Sequence, residues 1–160
     1  MIRSIYTLFI GVFLVLFVGV GISAFYPAPQ YPQMPESIKY EQLPEAGVKE
    51  SPEKIAQRKE FDKAQEAFTK RSQEYERNVS MIAVVAAVIF VAASLTLFKT
   101  IYLIADGILL GGVLTLLYGT IRGFNTNDTR FLFLVVSVGL VISLLLGYIK
   151  FIKPLQKEKK

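Results

Sequence analysis

Neither cysteine nor histidine occurs anywhere in the 160 residues. Without cysteine there is no disulfide, no thiolate nucleophile and no site for a lipoprotein anchor, although the redox compartment stays open. Without histidine the chain lacks the commonest general base and the commonest transition-metal ligand. A glycine-rich phosphate loop after a strand is missing too, as are carboxylates paired at a motif spacing. These gaps argue against an enzyme, and no cofactor or metal is expected.

Charge is scarce in four long stretches. Residues 5–25, 79–98, 101–121 and 131–149 contain one ionisable acid between them, Asp106, and no Lys or Arg. A helix needs about 20 apolar residues to cross a hydrocarbon core of roughly 30 Å. All four stretches meet that length, and the chain is 52% hydrophobic with a mean hydropathy of +0.44. The expectation is all-α: a four-helix transmembrane bundle in the cell membrane. A secretory signal peptide competes for the first run, with a small-residue pair at Gly21 and Ser23. Its apolar core exceeds the usual length of about 7–15 residues and lacks an A-x-A-like site, so residues 1–25 read as a retained helix.

Between the first two spans lies a linker, residues 26–51, that opens with prolines at 27, 29, 32 and 35. Proline fixes φ and holds its predecessor extended, so this part should form a polyproline-like strut. Its Tyr26 and Tyr31 suit either the membrane interface or an aromatic-lined partner groove. Ser51, Pro52 and Glu53 then supply an N-cap, a first-turn proline and a dipole-matched acid. No glycine or further proline follows until after Phe98. One helix is therefore expected through 52–98, its charged part 52–78 extending the second span outside the membrane by about 40 Å.

That extension carries Phe61, Phe68 and Tyr75 seven residues apart, with Ala64 between the first two. A spacing of seven is the seam of a coiled coil, but sustained heptads are absent. Packing against the chain's own 26–35 strut is the leading expectation. Contact with a membrane-protein partner or a second copy is the rival. Lys99 and Thr100 alone separate spans two and three, so those spans form a tight hairpin. In the nine residues 122–130, Asn127 or Asp128 can cap the last helix. Acceptor patterns for glycosylation at Asn78 and Asn127 lie hard against the membrane and carry no function.

With four spans both termini share a side. Five of the 18 basic residues fall in the tail 150–160, whereas 26–38 has no Lys or Arg. Basic residues beside a span end mark the cytoplasmic face and bind anionic lipids. The termini are thus expected in the cytoplasm and residues 26–78 outside. The net charge of +5 is read as this tail rather than as nucleic-acid binding.

Small residues recur every four positions, Gly107, Gly111, Thr115 and Gly119 in span three and Gly139, Ser143 and Gly147 in span four, and Gly11 and Gly19 stand eight apart in span one. Such rows let helix backbones approach, and they mark the third span as the central packing element. Asp106 is the harder residue. An intramembrane acid should face protein or water and have a partner. A structural clasp with Arg3 or Lys99 is the leading reading, and an ion or proton site is the other.

The segments YPAPQYP, ADGILLGG and IRGF resemble small uncharacterised four-span integral membrane proteins of prokaryotes. The resemblance spans most of the chain and implies no activity for any residue. An interaction protein, either a scaffold or an accessory subunit, is the expected function. The alternative is a small transporter or channel that uses Asp106.

Overall fold

The computed structural model describes residues 2–35, 52–97 and 101–149. Four helices account for nearly all of them: α1 (Ile2–Phe25), α2 (Pro52–Leu97), α3 (Tyr102–Phe124) and α4 (Thr129–Gly147). Each is long and apolar enough to cross a membrane. Ser51, Lys99 and the basic tail lie outside the described residues. The chain divides into two compact units, one of Met1–Pro27 with Glu76–Lys160 and one of Ala28–Tyr75.

In the first unit, α1 stops where its sequence demands. The Tyr26 amide closes the last turn on the Ile22 carbonyl at 2.7 Å, and Pro27 has no N–H to continue it. Helix α2 is uninterrupted over 46 residues, with Glu53 in its first turn. Helix α3 runs three residues beyond the expected end at 121. Helix α4 begins at Thr129, because Asp128 accepts from the Arg130 and Phe131 amides at 3.0 and 3.1 Å. The expected nine-residue loop therefore shrinks to 125–128. Thr126 is buried there, its hydroxyl donating to the Gly123 carbonyl at 2.8 Å, and Asn127 adopts a φ of 52°.

The core is organised around α3, the most buried of the four spans, while α4 is the least. On one face, Gly107 meets Ile10 and Gly111 meets Leu14, so α1 and α3 run parallel. A Cβ on either glycine would lie under 3 Å from the facing side chain, a separation that only hydrogen permits. On a second face Gly112 packs on Ala87 and Val91, and Gly119 on Ser80 and Ala83, so α2 runs antiparallel. Two buried hydroxyls stitch that interface: Ser80 donates to the Gly119 carbonyl and Ser94 to the Ala105 carbonyl, both at 2.7 Å. Leu116 turns to Gly139 of α4, where an added Cβ would lie 3.4 Å from it. Small residues bring the backbones close enough for dispersion and interhelical hydrogen bonds to drive association, as lipid supplies no hydrophobic force between helices.

In the second unit, the strut lies on the charged part of α2. The Tyr31 ring meets Phe68 edge-on, centroids 5.1 Å apart. Pro32 and Pro35 line a small groove with Phe61 and Ala64.

Candidate functional sites

Two polar clusters occupy opposite ends of α3, both within the first unit. At its start, an open groove of about 700 Å3 runs between α1 and α3. Arg3, Ser4, Thr7, Tyr102 and Asp106 supply its polar lining. The Arg3 guanidinium carbon lies 5.8 Å from the Tyr102 ring centroid, within cation–π reach. The fold thus brings Arg3 and Asp106 to one groove. Asp106 is half-buried.

At the other end, Arg122 Nη1 donates to Glu76 Oε1 at 2.7 Å, and Arg122 Nε donates to the Tyr118 hydroxyl at 3.2 Å. The guanidinium carbon also sits 5.4 Å from the Tyr118 ring centroid. The second Glu76 oxygen is buried with no hydrogen-bond partner among the described residues. Close by in sequence, Asn78 donates to the Tyr26 hydroxyl at 2.9 Å, which ties the exit of α1 to α2. The acceptor pattern at Asn78 is thereby committed to packing, since Val79 and Ser80 are fully buried.

Sequence reasoning missed Glu76 and Ser94, and the contacts that Tyr118 and Ser80 make. A usable signal was present. The pairs Ser80–Gly119, Ala87–Gly112 and Ser94–Ala105 are symmetric about the point between positions 99 and 100. Folding the sequence on that point sets Arg122 opposite position 77, one residue from Glu76.

The remaining candidates separate by surroundings. A Cβ added to Gly11 would lie 2.9 Å from Leu110 and one added to Gly19 would lie 4.0 Å from Tyr118, whereas one added to Gly147 would meet nothing within 4 Å among the described residues. Ser143 is exposed and donates to the Gly139 carbonyl of its own helix at 2.9 Å. Thr115 is fully buried, and its hydroxyl has no hydrogen-bond partner among the described residues. In the second unit Phe61 and Phe68 are half-buried, and Tyr75 is only 7% exposed. No group of three or more acidic residues is placed to hold a metal ion among the described residues.

These features define a four-helix integral membrane protein whose third span joins the other three. No family model, curated protein or solved structure matches the chain. The resemblance in the YPAPQYP, ADGILLGG and IRGF segments therefore extends to four membrane-crossing helices and identifies no family.

Proposed function

We propose that this protein acts through interaction, as a scaffold or accessory subunit, with the helix–strut unit as its contact surface. The observation that carries the reading is the edge-on packing of Tyr31 on Phe68. It gives a charged stretch of helix a folded partner within its own chain, which makes a preorganised surface rather than a loose loop. The aromatic line is partly consumed by that packing. What stays open is the polar face of α2, where Asp62, Glu66, Thr69, Lys70 and Gln73 line a groove along the helix. The working surface moves accordingly from the aromatics to this face. The lysines at 150, 153, 157, 159 and 160 favour cytoplasmic termini, which puts the helix–strut unit on the extracytoplasmic side.

A transporter or channel built on Asp106 has less support. Asp106 lines an open groove between two helices, whereas Val79, Ala83, Ala87 and Thr115 are fully buried between the packed helices. The test is photo-crosslinking in the native membrane from Asp62, Glu66 and Gln73, followed by gentle-detergent purification and mass spectrometry. A defined partner should crosslink from these positions and be lost in the charge reversal Glu66→Lys, Lys70→Glu. Absence of any crosslink beyond lipid, with transport that vanishes in Asp106→Asn, would sink the interaction reading.

A further inference from the structure

The groove between α1 and α3 is graded along its length. Its polar residues fall in the first two turns of the helices, and Leu109, Leu110 and Val113 line it further in. The parallel register, with Ile10 beside Gly107, sets Arg3 about half a turn outside the level of Tyr102. Asp106 is then six residues deeper, about 9 Å by Cα position. Side chains on both helices tilt back toward the N-terminus, so the carboxylate leans toward the mouth of the groove.

We propose that the groove is a binding site for a lysophospholipid, a single-chain lipid with a phosphodiester and a free glycerol hydroxyl. Three parts of the ligand match three levels of the lining, in order. The phosphate sits at the mouth on the Arg3 guanidinium, a fork suited to phosphate oxygens, with the Ser4 and Tyr102 hydroxyls as further donors. The free glycerol hydroxyl, deeper, donates to Asp106. A carboxylate has about four lone-pair sites, so it can accept this bond beside other contacts. The acyl chain then runs along Leu109, Leu110 and Val113. A diacyl lipid has an ester at the deeper position, which offers no donor and sets a second acceptor against the carboxylate. That difference is the source of the selectivity.

Native mass spectrometry of the purified full chain, titrated with lysophosphatidylcholine and with its diacyl counterpart, tests the site. Choline headgroups carry no hydrogen-bond donor, so the glycerol hydroxyl is the only one that differs. The lyso form should bind about tenfold more tightly, the equivalent of one hydrogen bond to a charged group. Asp106→Leu should abolish the preference, weakening the lyso form and relieving the diacyl ester of the facing carboxylate, and Arg3→Gln should weaken both lipids. Should Asp106→Leu fail to assemble, Val113→Trp fills the groove from its apolar end and should displace both lipids. Equal binding of the two lipids, a preference that survives in Asp106→Leu, or adducts indifferent to both Arg3→Gln and Val113→Trp would each overturn the proposal.

Discussion

Alanine at Gly111 and at Gly21 should shift stability in opposite directions. A Cβ at Gly111 would lie 2.7 Å from Leu14 Cδ1 and 2.9 Å from Leu14 Cβ. Carbon atoms prefer about 3.5–4.0 Å. The Cδ1 atom can rotate away, but Leu14 Cβ is fixed to the backbone, so α1 and α3 must part by roughly 1 Å. A gap of that size forfeits about a quarter to a half of each dispersion contact along the interface. Overpacking of this kind costs about 1–3 kcal/mol. Alanine recovers up to about 1 kcal/mol of helix propensity. The net expectation is a loss of about 1–2 kcal/mol. Gly21 has nothing within 4 Å of its Cβ position, so there the propensity gain stands alone, about 0.5–1 kcal/mol of stabilisation. Gly107→Ala should behave like Gly111→Ala, since the new Cβ would lie 2.8 Å from Cβ of the β-branched Ile10, which cannot swing aside. The double variant should cost less than the two singles together, because one displacement relieves both clashes. Reversible unfolding in mixed micelles, followed by far-ultraviolet circular dichroism, measures all four. If Gly111→Ala is as stable as Gly21→Ala, the close approach of α1 and α3 is wrong.

Three further outcomes are expected. The Glu76–Arg122 pair should show a coupling of about 2 kcal/mol in a double-mutant cycle with Gln and Ala, between the ranges for exposed and buried pairs, and the coupling should fall as salt rises. Coupling near zero at low salt would remove the pair as a clamp. Thr115→Val should be neutral or stabilise by up to about 1 kcal/mol, because it deletes a buried hydroxyl with no partner; a clear loss in the same unfolding assay would mean the hydroxyl is bonded. Asn127→Gly should stabilise by about 1 kcal/mol by relieving the φ of 52°, and Asn127→Val should destabilise by at least as much.

The four spans were legible because hydrocarbon imposes a length and a composition on any helix that crosses it. The glycine row showed which span has a close-packed surface, but not that its members divide between partners. Gly107 and Gly111 face α1, while Gly119 faces α2. A four-residue spacing advances a helix by about 40°, so three further turns carry the row from one neighbour to the next. The cross-helix hydroxyls were hidden for another reason. Ser23, Ser137 and Ser143 bond their own helix four residues back, whereas Ser80 and Ser94 bond α3. All five look alike in sequence. Glu76 was overlooked because a charge-rich helix reads as solvated throughout, and only the hairpin register singles out the one acid that meets Arg122.

The absence of cysteine makes the most direct test of the architecture a clean one. Single-cysteine variants Ser4→Cys, Asp62→Cys and Asn125→Cys place a label at three exposed positions. Each is treated with a membrane-impermeant maleimide in intact cells and in inverted vesicles. Four spans with parallel α1 and α3 predict that Asp62→Cys and Asn125→Cys react from the same face and Ser4→Cys from the other. Cytoplasmic termini predict further that the shared face is the outer one. Labelling of Asp62→Cys and Asn125→Cys from opposite faces, or of all three from one face, would contradict the four-span bundle.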